Sequence, residues 1–124
     1  MATTSVFEQI SREEWIAENA LVFAIRDAHP VSPGHALVIP KRVVASWFDA
    51  TADEVAAMTE LVAVVKHQLD ESHSPAGYNV GFNDGEAAGQ TVFHAHVHVI
   101  PRFDGDMASP AGGVRHAIVG RGYY

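Results

Sequence analysis

Three histidines at alternate positions, His94, His96 and His98, stand between Ala95, Val97 and Val99 and form the densest group of reactive side chains in the chain. Side chains two apart on a β-strand share a face, so an extended backbone here puts three imidazoles on one side and three apolar groups on the other. Crowded imidazoles resist simultaneous protonation. An isolated ring titrates near ~6.5, and charging one raises the cost of charging the next, so at neutral pH at least the central ring is expected to be neutral, with a nucleophilic nitrogen. A histidine nucleophile suits phosphorus, because the phosphoramidate it forms is readily hydrolysed. Two of these rings with one more also suit zinc, with a fourth position open for water. Spacing alone leaves both readings standing.

Other residues can complete such a site. His35 follows the Pro33-Gly34 turn at the start of a strand-like run and supplies a fourth imidazole if that run neighbours the triad. The loop of residues 84–91, DGEAAGQT, carries glycines that let backbone N–H groups approach an anion, with Gln90 and Thr91 beside them. It lacks the Lys-Ser/Thr ending of a P-loop and opens onto a strand-like segment rather than a helix. Asp27 is in phase with Phe23 and Ile25, where a carboxylate can accept hydrogen bonds from ribose hydroxyls. His29, His67, His73 and His116 are solitary and receive no role.

Composition narrows the field. With 124 residues, 48% of them hydrophobic, the chain suits one domain spanning 1–124. Eight Lys and Arg against 15 Asp and Glu give a formal net charge of −7, which argues against a general nucleic-acid binder. There are no cysteines, so disulfides, cysteine zinc sites and thiol nucleophiles are excluded. Neither a secretory leader nor a membrane-spanning run is indicated, and a cytoplasmic location is the default expectation.

The elements that must position these groups follow from periodicity. Ser11 and Glu14 have capping-box spacing and predict a short helix running through Trp15, Ile16 and Glu18. Residues 21–27 and 35–41 predict a hairpin, with His35, Leu37 and Ile39 in phase on its second strand. Thr51 and Glu54 predict the start of the main helix, whose apolar stripe runs through Val55, Met58, Val62, Val65 and Leu69. That stripe needs burial against one sheet face, which leaves the other face for chemistry. The segment 107–124 is punctuated by Gly and Pro and resists assignment.

The run HAHVHVI fits the pattern His-φ-His-φ-His-φ-φ, with φ hydrophobic, and resembles the histidine triad superfamily. The similarity extends over residues 83–94, like that family's phosphate loop, and over residues 27–41, like its ribose-and-histidine hairpin; with Phe7 and Ile10 it covers about residues 7–104, leaving a tail of 105–124. The resemblance implies an α+β fold, with one main and one short helix and an antiparallel sheet continued across a homodimer. It implies that His96 is the nucleophile toward the α-phosphorus of an AMP-like nucleotide, that His98 contacts the phosphate, and that His94 and His35 support them. Asp27 would hold the ribose, Phe7, Ile10, Ile25 and Leu37 the base, and Asn83, Gly89, Gln90 and Thr91 the phosphate oxygens or leaving group. The implied activity is nucleotide hydrolysis, of dinucleoside polyphosphates or nucleoside phosphoramidates with an adenosine or guanosine base. No cofactor or metal is required for the attack, although a divalent ion can accompany a polyphosphate. The third histidine, rather than the glutamine of nucleotidylyltransferase relatives, favours hydrolysis. The motif departs from many phosphoramidase-type relatives at Val43, where those carry histidine. A nucleotide sensor with little activity and a three-histidine zinc protein are the alternatives.

Overall fold

In the computed structural model, which describes residues 5–124, the hairpin runs become β2 (Val22–Arg26) and β3 (Ala36–Pro40). A two-residue β1 (Ala17–Glu18) precedes them, and α1 (Ala52–His73), β4 (Gly77–Gly81) and β5 (Val97–Arg102) follow. Every ladder is antiparallel and the strand order is β1-β2-β3-β5-β4, so the fold is α+β with one five-stranded sheet. The turn between β2 and β3 depends on Gly34 at φ +89°, where a Cβ would lie 2.7 Å from Cδ2 of Leu69. A side chain there would hold the turn off the end of α1.

The main helix starts where the sequence predicts. Thr51 Oγ1 accepts the Glu54 N–H at 3.0 Å while Glu54 Oε1 accepts the Thr51 N–H at 2.9 Å. Met58, Leu61, Val65 and Leu69 then pack against Val22, Ala24, Ala36, Val38, Val97 and Val99 in one buried cluster. The stripe is rotated slightly from the expected one: Leu61 is central, and Val55 and Val62 flank it. On the opposite sheet face Phe7, Phe23, Ile25, Leu37 and Ile39 form a second, smaller cluster.

The expected short helix after Ser11 does not form. Two 3-10 turns, Val6–Gln9 and Arg12–Glu14, take its place, and the chain extends directly into β1. Trp15 and Ile16 are claimed by the sheet: the Trp15 ring stacks on Phe23 with centroids 4.3 Å apart, and the Ile16 N–H donates to Ala24 O. A single turn has little stability of its own to oppose that pairing. The tail contains one further 3-10 turn, Gly113–Ala117, and leaves Val119 and Tyr124 exposed. Among the described residues no helix is long and apolar enough to cross a membrane.

Candidate active site

A cavity of about 770 Å³ opens on the sheet face opposite α1, a size suited to a nucleotide-sized ligand. Its apolar wall comes from Phe7 on the first 3-10 turn, from Ile10 that caps it, and from Ile25 and Leu37, which lie directly across the β2–β3 ladder. The register carries on: Leu37 pairs with His98 across β3–β5, and His98 with Gly81 across β5–β4. Asp27, Asn83, Gly89, Gln90, Thr91, His96 and His98 also line the space. The β2–β3 register and the flanking turns and loops thus bring the expected base, ribose and phosphate residues to one concavity.

The three histidines are not equivalent. Only His98 lies within β5; His94 and His96 precede the strand, so the expectation of a single strand carrying all three needs correction. The backbone bends at Phe93 and His94, and the His94 ring leaves the groove for complete burial. Its Nε2 lies 2.6 Å from Pro40 O and its Nδ1 2.8 Å from Ser5 Oγ. A carbonyl can only accept, so Nε2 carries the proton and Nδ1 accepts from the serine hydroxyl. Burial holds this ring below the usual imidazole range and therefore neutral.

Backbone partners fix the protons of the other rings. His96 Nδ1 lies 2.8 Å from His94 O, so Nδ1–H donates and Nε2 keeps the free lone pair of a ring that lines the cavity. The Val31 N–H donates to His35 Nδ1 at 3.2 Å, which puts the His35 proton on Nε2, 2.9 Å from His98 Nδ1. His98 then accepts at Nδ1 and carries its own proton on Nε2, as a donor for an anion. Burial, reinforced by His96 and His35, pushes His98 down to about 4, and burial also lowers His35. Backbone groups at Val31 and at His94 thus set opposite tautomers on the two cavity histidines: an acceptor at His96 Nε2, a donor at His98 Nε2.

A triad of this form is matched by a family model described as the HIT domain, over residues 9–105. The chain belongs to the HIT domain family. It is 38% identical over 89 residues to a 16.1 kDa HIT-like protein of Mycoplasma pneumoniae, covering 72% of this chain and 62% of that one. It is 35% identical over 99 residues to a bifunctional bis(5'-adenosyl)-triphosphatase/adenylylsulfatase of Arabidopsis thaliana, covering 80% of this chain and 55% of that enzyme. The chain therefore spans only about half to two thirds of the length of these relatives. Its structure is similar to a HIT family protein from Bacillus anthracis, with a TM-score of 0.77 and 33% identity over 86% of this chain and 78% of that one.

Within this HIT domain, Asp27 faces the cavity with its carboxylate already oriented: Oδ1 accepts the His29 N–H at 2.8 Å, and Oδ2 lies 3.4 Å from His35 Nε2. Gln90 behaves differently from the expectation of a phosphate ligand. Its Nε2 donates to Ala45 O and Val92 O and its Oε1 accepts from the Gly85 N–H, so the buried side chain braces the loop instead. Ser46 Oγ, donating to Asp84 Oδ1 at 2.7 Å, clips the same loop from outside. Gly85 and Gly89 both hold positive φ, the conformation that lets this loop turn back toward the histidines. The Asn83 carboxamide and the Thr91 hydroxyl have no protein partner among the described residues and remain available to a ligand.

The HIT domain also brings in residues that pattern reading missed. Val6, Glu14, Ala28, His29 and Val92 line the cavity, and Arg26 contributes to its wall while its guanidinium donates to Gly34 O. None has a periodic signal; His29 and Glu14 reach the site because loops and 3-10 turns, rather than a strand or helix, carry them there. For zinc, the triad as a unit is unsuited, since both His94 ring nitrogens are occupied. Among the described residues the group with metal-ligand spacing is Asp27, His35 and His98. There the Val31 N–H keeps the His35 proton on Nε2, the atom that would have to bind the ion.

Proposed function

We propose that this HIT protein is a nucleotide hydrolase that cleaves at the α-phosphorus of an AMP- or GMP-like nucleotide through a covalent intermediate on His96. The observation that carries the reading is the Nδ1–H bond from His96 to His94 O, which leaves Nε2 as the cavity-side nucleophile. Nε2 attacks phosphorus, the bond to the leaving group breaks, and the leaving group departs with that electron pair and takes up a proton. Water then attacks phosphorus, the P–N bond breaks, and His96 returns to its starting state as the nucleoside monophosphate leaves. His98 Nε2–H stabilises the charge on the phosphoryl oxygens, and His35 positions His98. Asp27 takes the ribose hydroxyls, and Asn83, Thr91 and the backbone near Gly89 take phosphate or leaving-group oxygens. A divalent ion enters only as the counter-ion of a polyphosphate substrate.

The substrate class is a dinucleoside polyphosphate or a nucleoside phosphoramidate, in keeping with the bis(5'-adenosyl)-triphosphatase name of the Arabidopsis relative. We further assign the working form to a cytoplasmic homodimer joined at β4, an edge strand whose end leaves Val80 and Phe82 exposed. Acid quench of the protein with diadenosine triphosphate or an adenosine phosphoramidate, followed by intact mass measurement, tests the mechanism. A nucleotidyl adduct on wild type that is absent from His96→Gly, with turnover reduced by about a thousandfold or more and nucleotide binding retained, is expected. A His96→Gly variant with near-normal turnover, or rapid wild-type turnover with no adduct at any quench time, overturns it.

A further inference from the structure

Glu14 has the spacing of a capping residue but does not act as one. At Ser5–Glu8 and at Thr51–Glu54 both reciprocal bonds of the capping box close. At Ser11 the hydroxyl accepts the Glu13 N–H instead, and the Glu14 carboxylate takes no hydrogen bond or ion pair among the described residues. Glu14 instead lines the cavity, on the 3-10 turn that follows the one carrying Val6 and Phe7 and shortly after Ile10. The other carboxylate of the lining, Asp27, accepts the His29 N–H at 2.8 Å and has Oδ2 3.4 Å from His35 Nε2. The one Arg of the lining, Arg26, directs Nη1 to Gly34 O at 2.7 Å. Among the described residues a solvent-exposed carboxylate without a protein partner therefore lines the cavity, four residues after Ile10 of the apolar wall.

We infer that Glu14 reads the base edge and gives the cavity a preference for guanine over adenine. This rests on the nucleotide reading above, with the base against Phe7, Ile10, Ile25 and Leu37. An ionised carboxylate only accepts hydrogen bonds. Guanine presents two adjacent donors, N1–H and the N2 amino group, which match its two oxygens as a charge-assisted pair. Adenine presents one donor, the N6 amino group, beside the N1 lone pair, which a carboxylate oxygen repels. Hypoxanthine keeps N1–H but lacks the amino group, so it falls between the two.

Calorimetric titration of the full chain with GMP, IMP and AMP tests this, using wild type, Glu14→Gln and Glu14→Ala. Wild type is expected to bind GMP about tenfold more tightly than AMP, with IMP between, the scale of one paired hydrogen-bond contact to a base. Glutamine can donate to adenine N1 and accept from its amino group, so Glu14→Gln shifts the ratio toward AMP, and Glu14→Ala removes most of the difference. A shifted ratio cannot come from a general loss of folding, which would weaken all three ligands together. AMP bound as tightly as GMP by wild type, or a ratio unchanged in Glu14→Gln, overturns the assignment while leaving the nucleotide reading intact. Failure of all three monophosphates to bind overturns both.

Discussion

Beneath α1, β2, β3 and β5 present Val22, Ala24, Ala36, Val38, Val97 and Val99, and Met58, Leu61, Val65 and Leu69 close over them with essentially no solvent exposure. On the other face the same strands present Phe23, Ile25, Leu37, Ile39 and His98, and here short N-terminal turns and the loop that ends at Val92 border the sheet. One face is saturated by packing; the other is left part-filled, and the gap is the cavity. A concavity open to solvent persists only if its walls cannot collapse onto one another. Phe7, packed in one cluster with Ile25 and Leu37, and the Gln90-braced loop supply such walls. The closed face thus provides the stability that allows the open face to keep unsatisfied groups such as His96 Nε2, Asn83 and Glu14.

Substitutions should separate the two faces. Met58→Ala removes a fully buried side chain from the closed face and is expected to cost about 3 kcal/mol in urea unfolding, while kcat per folded molecule stays near wild type. A large fall in kcat with little change in stability would show that the faces are not energetically separate. His94→Ala should sharpen the distinction from the other side. Although it belongs to the triad, its ring is wholly buried and bonded to Pro40 O and Ser5, so its removal is expected to cost about 2–3 kcal/mol of stability. Its loss of turnover is expected to be smaller than that of His96→Gly, because the group that orients His96 is the His94 carbonyl, which alanine retains. Equal loss of turnover in the two variants would place the His94 ring in the chemistry.

How much of this was legible in the residue order depends on which interaction set each element. The β2–β3 hairpin and α1 were readable, because alternation and a closed capping box agree with the packing that buries them. Phase alone put Asp27 with Phe23 and Ile25, and Leu37 with His35 and Ile39; that Ile25 and Leu37 share a face depends on the β2–β3 register. The histidine row was only half readable: period two places His96 and His98 correctly, but nothing in the spacing reveals the bend at His94, which depends on a buried carbonyl at Pro40 54 residues earlier. Gln90 has the chemistry of a phosphate ligand, and only the positions of Ala45 O and Val92 O show that its donors are already taken. Ser11 and Glu14 mislead for a related reason: their spacing suits a helix start, and the sheet claims Trp15 and Ile16 before a helix can form.

The smallest expected effect lies where the two faces meet. Arg42, on the segment leaving β3, donates from Nη2 and Nε to Glu54 at 2.7 and 3.0 Å, and the next residues carry Val44 O and Ala45 O, which accept from the Ala95 N–H and from Gln90. The Arg42 hydrogen bond, aided by the Thr51 cap, holds the Glu54 carboxyl well below the usual carboxylate range, at about 2. Because the folded value lies below the unfolded one, the unfolded chain binds more protons between the two. The contribution is fully present above about pH 4.5 and is lost as pH falls toward 2. Arg42 is half exposed, which reduces the stabilisation to about 1–2 kcal/mol. His35, His94 and His98 also lose stability on acidification, since burial lowers all three, so wild type alone does not isolate the glutamate. Denaturant unfolding of wild type and Glu54→Gln from pH 6 to pH 3 does: the gap between the two curves should narrow as pH falls below 4.5. A gap that stays constant would mean that the link from the helix start to the loop-bearing segment is held by the neutral capping bonds, and that Arg42 adds nothing to it.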